Sequence, residues 1–322
     1  MSMDRRSLFA ATALGALAAP GLAAAQGAAP TAQAPGFYRL KVGAKTVTVV
    51  HDGFAPRPNI LTGFVRNATP EQVEASLRDS YMPLPGLDIP FTITFVQTSS
   101  GLVVFDTGTG NQLGAPTAGT IAANMRAAGL DPAAVTRVVI SHFHGDHITG
   151  LTTPDNTPVF PNADLWVPEP EYAYWMDDAV MSRAAEGMRG AFQNVRRRLG
   201  PYAAKTERYA AGAEVAPGIR AVATYGHTPG HMSFTVEDGG ESLMILSDVT
   251  NHSELNLKNP GWHAIFDMDP VLAEATRRRV FDQVATDRLR CIGYHFPFPA
   301  NGYVAKTEGG YRFIPATWTA VV

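Results

Sequence analysis

Residues 141–150 read SHFHGDHITG. Four groups able to hold a metal, His142, His144, Asp146 and His147, follow directly on the apolar run Arg137–Ile140 (RVVI). A β-branched run that ends in polar residues is a strand emptying into a loop. Such a loop can aim several side chains inward. Imidazole and carboxylate are ligands of zinc-type cations, and Gly145 lets the backbone turn tightly between them.

Three later stretches extend the set. Tyr225–His231 (YGHTPGH) follows one strand and precedes a hairpin. His231, behind a Pro-Gly turn, is the expected ligand there, with His227 standing behind the ligands. Leu246-Ser247-Asp248 puts a carboxylate at the end of an apolar strand, and Asp248 becomes a bridging candidate because the histidines call for a second cation. His295, in Gly293–Pro299 (GYHFPFP), again follows a strand. Five imidazoles and two carboxylates suffice for two cations sharing one carboxylate and one water. A hydroxide held between two cations persists at neutral pH as a strong nucleophile. Asp146 and Asp248 are the carboxylates of that catalytic centre. No Ser or Cys nucleophile is required: Ser141 and Ser247 lack a triad context, and Cys291 sits in an apolar strand as an inert thiol.

The composition agrees with an enzyme. The 322 residues are 45% hydrophobic and 17% charged, which allows a sizeable core and excludes a disordered chain. With 26 Lys+Arg against 29 Asp+Glu the net charge is -3, which excludes a strongly basic nucleic-acid binder. A single cysteine excludes an intramolecular disulfide and a Cys-rich zinc knuckle. Residues 1–25 read as a twin-arginine signal peptide, with Arg5-Arg6 before an apolar run and Ala23–Ala25 as the cleavage site. That run, Leu8–Ala19, is about 12 residues and falls short of the ~20 needed to span a bilayer. The mature chain is therefore expected to be periplasmic or secreted, with no membrane span. Residues 26–35 read as a flexible leader and 36–322 as a single domain.

Strands are expected at Lys45–Val50 (ended by His51-Asp52-Gly53), Arg137–Ile140, Leu165–Val167, Ile219–Ala223 and Cys291–Tyr294. Hairpins are expected at Phe91–Phe105 and Met232–Leu246. Helices are expected over Ala118–Leu130, over Glu171–Leu199 and after the Asp269-Pro270 cap. Mixed strands and helices with hairpins make an α+β chain of two mixed sheets stacked face to face, helices outside.

HFHGDH, then GHTPGH, then SD and a late GYH together resemble the metallo-β-lactamase superfamily. The resemblance implies an αβ/βα sandwich with two divalent metal ions, Zn2+ above all. It implies that His142, His144 and His231 hold one ion, that Asp146, His147 and His295 hold the other, and that Asp248 bridges. Asp106 in FDTG matches the family's strand-end Asp, which orients a metal-binding loop. The leader, Pro35–Leu40, the 171–202 insert and the closing GYRFIP resemble the exported methyl parathion hydrolase-like branch, related to the N-acyl homoserine lactonases. That branch implies a homodimer acting on small-molecule esters, lactones or phosphotriesters, with a substrate pocket drawn from Trp175, Met188, Trp262 and Phe298. The competing expectations are a phosphodiesterase or β-lactam hydrolase on the same site, and a non-catalytic periplasmic binding module.

Overall fold

The computed structural model describes residues 33–322. The expected signal peptide and residues 26–32 of the expected leader lie outside the described residues. Two seven-stranded sheets carry the fold. The first runs in chain order through β1 (Phe37–Val42), β2 (Lys45–Arg57), β3 (Leu87–Thr98), β4 (Gly101–Phe105), β5 (Val135–Val139), β6 (Asp164–Pro168) and β7 (Thr206–Tyr209). It is antiparallel from β1 to β4 and parallel from β4 to β7. The second holds β8 (Glu214–Ala216), β9 (Ile219–Ala223), β10 (Met232–Asp238), β11 (Glu241–Ser247), β12 (Arg290–Gly293), β13 (Asn301–Lys306) and β14 (Tyr311–Pro315). Its one parallel pair is β11 with β12.

Alternation along the strands explains the layers. In β4, Val103 and Phe105 join the apolar layer shared with Phe234 and Ile245 of the second sheet. Leu102 and Val104 point the other way, into a layer with Trp175 and Phe192. Both faces of the strand are therefore buried, and its sequence is apolar throughout.

The helices cover the outer faces: α1 (Pro70–Asp79), α2 (Ile121–Ala127), the single turn α3 (Gly145–Ile148), α4 (Glu169–Trp175), α5 (Asp178–Arg183), α6 (Glu186–Leu199) and α7 (Pro270–Thr286). Asp269 caps α7 by accepting from the Leu272 N–H, and Val280, Phe281 and Val284 seat the helix on the shared core. Among the described residues no helix is long and apolar enough to cross a membrane.

Two expectations change. The helix expected over 171–199 is three helices, because Asp177 accepts from the Ala179 and Val180 N–H groups and starts a new one, and Ala184-Ala185 are extended. Strand β2 does not end at His51 but continues to Arg57 through a register shift at His51/Phe54, where Gly53 takes φ +85°. Helix α1 adds to the expected elements, and its start is set locally: Thr69 and Gln72 form a full capping box with Pro70 between them. It covers a third, smaller core that includes Ile60, Leu77, Ile89 and Leu255.

Candidate metal centre

Strand ends build the site. Phe105 closes β4 and delivers Asp106, and Val139 closes β5 and leads to Ser141 and His142. Ser247 closes β11 ahead of Asp248, and β12 leads to Tyr294 and His295. Asp106 and Ser247 adopt φ +63° and +49°, left-handed values that non-glycine residues rarely take.

Asp106 orders the first loop. Its Oδ1 accepts the Ser141 N–H at 2.7 Å, and its Oδ2 accepts the Ser141 hydroxyl and the His147 Nδ1–H, each at 2.8 Å. That bond fixes the tautomer of His147 and aims its Nε2 inward. His144 stands at the N-cap position of the single turn α3, and its Nδ1 lies 2.8 Å from Nε2 of His227. His227 is braced from behind: its Nδ1–H donates to Asp267 at 2.9 Å, and the other oxygen of Asp267 pairs with Arg277 at 2.9 Å, all three buried. His295 donates from Nδ1 to the Pro90 carbonyl at 2.9 Å.

Asp248 lies among these nitrogens. Its Oδ2 is 3.0 Å from His295 Nε2, 3.4 Å from His227 Nε2 and 4.0 Å from His142 Nε2, while its Oδ1 is 3.2 Å from His147 Nε2. Asp146 Oδ2 is 3.5 Å from His147 Nε2 and 3.6 Å from His295 Nε2. Three triads thus form, His142–His144–His227, His142–His147–Asp248 and Asp146–His147–His295, each with ligand atoms within 4.8 Å of one another.

The expectation for the GHTPGH stretch is reversed. His231 is not free to hold a metal, because its Nε2 accepts the Asp248 N–H at 2.9 Å and its Nδ1 is engaged by Thr224 at 2.8 Å. His227 takes the place assigned to it. His231 instead ties the turn to the strand end that carries Asp248.

The donor set suits a cation. His142 Nε2, His147 Nε2 and Asp248 Oδ1 are buried with no hydrogen-bond partner. Such atoms cost about 1–3 kcal/mol each unless something satisfies them. Burial holds His142 well below the ordinary imidazole range and His144 at about 3, so both rings are neutral at pH 7, the form in which imidazole can accept a cation. At His147 burial works against the proton, but Asp248, Asp146 and Asp106 outweigh it and raise the pKa well above the usual value. His295 is raised in the same way, against burial, chiefly by Asp248. Burial alone would raise the two carboxylates. His147 brings Asp146 down to about 2, and His295 and His147 hold Asp248 well below its ordinary value. Cys291 is pushed up to about 12 by burial and is inert.

Three positioning residues escaped the sequence reading. Glu171 joins the two ligand loops: one oxygen accepts the Phe143 N–H at 3.0 Å and the Trp175 indole N–H at 3.1 Å, the other the Gly230 N–H at 2.7 Å. Gly230 is required there, since a Cβ would collide with the Glu171 nitrogen. Tyr294 stacks on His147 at 3.9 Å and donates its hydroxyl to the Asp146 carbonyl at 2.6 Å. Asp267 is the third, and its only sequence signal is a lone carboxylate in an irregular loop.

A cavity of about 460 Å³ opens above the cluster, with His144, Asp146, Asp248 and His295 at its floor. Its walls are Ile89, Phe91, Leu113, Pro116 and Phe266, with Asn251 and Arg57. The expected pocket residues lie elsewhere. Trp175 is wholly buried behind His144, ring to ring at 6.5 Å, held there by Glu171. Met188 packs beneath the first sheet, Trp262 packs on the small core under α1, and Phe298 leans on His51 at 5.4 Å. From the 251–268 loop, Asn251 and Phe266 reach the cavity. His252 instead accepts backbone N–H groups of Glu254 and Leu255, and His263 pairs with Glu274 at 2.9 Å.

Two stacked mixed sheets, with imidazoles and carboxylates gathered at their strand ends, define a metal-dependent hydrolase scaffold. The chain belongs to the metallo-beta-lactamase superfamily, whose model matches residues 91–295. It is similar to the solved hydrolase AbOPH of the beta lactamase superfamily, at 26% identity and TM-score 0.83 over 89% of this chain and 100% of that one. It is similar to AidC, a dizinc quorum-quenching lactonase solved with a product, at 25% identity and TM-score 0.83 over 88% and 98%. An N-acyl homoserine lactonase from Bacillus sp is 22% identical over 221 residues, 63% of this chain and 80% of that protein.

Proposed function

We propose that this protein is a dinuclear metal-dependent hydrolase that opens carboxylic esters and lactones, with phosphotriesters as secondary substrates. The observation that carries this reading is Asp248, one carboxylate standing within 3.0–3.4 Å of imidazoles from both sides of the cluster beneath an apolar cavity. The likeness to AidC, described as a dizinc lactonase, and to the Bacillus lactonase supports the substrate class.

His142, His144 and His227 would hold one cation, Asp146, His147 and His295 the other, and Asp248 both. Zinc suits neutral imidazoles with carboxylates. Bound there, the cations supply Lewis acidity and a water activated at neutral pH. The chain's own residues do the rest. Asp106 and Asp267 fix the tautomers of His147 and His227, so that each ring presents Nε2 inward. Asn251 donates from Nδ2 to Asp248 Oδ2 at 3.2 Å and steadies that carboxylate. Ile89, Phe91, Leu113 and Phe266 seat an apolar acyl chain and exclude bulk water. On the same reading the twin-arginine leader exports the folded, loaded chain to the periplasm, and the chain works as a homodimer.

The test is elemental analysis of the purified mature protein together with a hydrolysis panel. Two zinc ions per chain, with cleavage of an acyl homoserine lactone and of p-nitrophenyl esters, is the expected result. A single ion per chain, or a panel in which only nitrocefin or a phosphodiester turns over, overturns it.

A further inference from the structure

The cavity above the cluster carries one charged side chain that its floor does not use. Among the lining residues Arg57 is the one cation besides the imidazoles. Its guanidinium stands over the Phe266 ring, 5.2 Å from the centroid, and Phe266 lines the same cavity. The Lys and Arg ion pairs of the described residues are made by other side chains, which leaves Arg57 without a carboxylate partner among them.

Strand register sets how far Arg57 stands from the floor. Pro90 gives its carbonyl to His295 and faces Phe54, while Arg57 faces Leu87. Leu87 and Pro90 are three residues apart on one extended strand, roughly 10 Å at ~3.3 Å per residue. The surface between is apolar, made by Ile89, Phe91 and Phe266.

We propose that Arg57 is the cavity's second recognition point: the preferred substrate is an ester or lactone whose apolar acyl chain ends in a carboxylate, roughly 10 Å from the scissile carbonyl. This rests on the hydrolase reading above and names the acyl group that site prefers. The aromatic face of Phe266 holds the guanidinium in place without neutralising it, so the charge stays available to a ligand. Arg57 is exposed, so the gain is modest, about fivefold in affinity.

The test uses the zinc-loaded protein, Arg57→Gln and Arg57→Lys, titrated calorimetrically with octanedioate and with octanoate. Octanedioate is expected to bind the parent about fivefold tighter than octanoate. Arg57→Gln should lose that preference and Arg57→Lys should keep most of it. Salt should shrink it. Equal affinities in the parent, or an undiminished preference in Arg57→Gln, overturn the proposal. A kinetic arm compares the mono-p-nitrophenyl ester of octanedioate with p-nitrophenyl octanoate, and the same ratio should appear in KM rather than kcat. If neither ester is cleaved, the hydrolase reading fails, while the binding arm still decides the role of Arg57.

Discussion

His147 faces one carboxylate oxygen of Asp248 and His227 the other, and each is backed by a buried carboxylate, but the carboxylates are held differently. Asp106 is fixed by uncharged donors, the Ser141 N–H and hydroxyl. Asp267 is matched by Arg277, whose other N–H groups bind the carbonyls of Val249, Pro260 and Trp262. On the His147 side, then, the bracing charge is unneutralised and acts on the imidazole. On the His227 side it is already paired, and the pair holds a loop. Disturbing the first should cost the cation; disturbing the second should cost the fold.

The largest effect is expected at the point the two sides share. Asp248→Ala should lower cation affinity and turnover by more than about a hundredfold, since even bracing residues cost 10–100-fold; elemental analysis and kinetics on dialysed protein check this. Next come the braces. Asp106→Asn should weaken cation binding about 10–100-fold and lower stability by about 1–3 kcal/mol, the cost of one buried acceptor turned donor. Asp267→Asn strands a buried Arg277 and should cost about 3–5 kcal/mol in denaturant unfolding. Equal stability losses in the two variants would break the comparison.

The two histidines of GHTPGH sharpen it. His227→Gln should bring the chain to one bound ion. His231→Gln should keep two ions and lose about 1–3 kcal/mol, the cost of unsatisfied partners at Asp248 and Thr224.

A smaller effect lies in pH. In cation-free protein the raised pKa values of His147 and His295 contribute stability that is complete below the unfolded value, near ~6.5, and is lost as pH rises through their folded values. Burial lowers His144 and His231 to about 3 and His252 to about 4, and the stability of these neutral rings is lost as pH falls below ~6.5. Chelated protein should therefore unfold at its highest temperature near pH ~6.5 and less stably on either side. A monotonic profile from pH 5 to 9 would contradict this. Cation affinity should rise with pH across the same range, because His147 and His295 must release protons to bind. The smallest expected effect is at Phe298, where substitution by Ala should leave KM within about twofold, whereas Phe266→Ala should raise it about tenfold by removing a cavity wall.

The legible parts of the molecule are those written locally. His142, His144, Asp146 and His147 lie on one loop after an apolar strand, so their convergence needs no long-range contact. The hairpins β3–β4 and β10–β11 advertise themselves through alternation and a glycine turn. The choice between His227 and His231 was hidden, because it depends on the Asp248 N–H reaching one ring across 17 positions of chain. Glu171 and Asp267 read as helix and loop carboxylates until the fold sets backbone N–H groups and an imidazole against them. The cavity walls were hidden for a similar reason. Leu113 and Pro116 come from an irregular loop, and Arg57 comes from the part of β2 that continues past the irregularity at Asp52-Gly53. By contrast, α1 carried its Thr69–Gln72 box openly.

The late parallel pairing of β11 with β12 has a consequence for biosynthesis. Asp248 and His295 become neighbours only after α7 has crossed between those strands. A ribosome that has made the first four donors still holds an open collection of imidazoles with nothing to close it. Until residue 295 has emerged and β12 has paired with β11, the Asp146–His147–His295 triad stays open, whereas the members of the His142–His144–His227 triad have all been made, so the two sides of the cluster are completed in order.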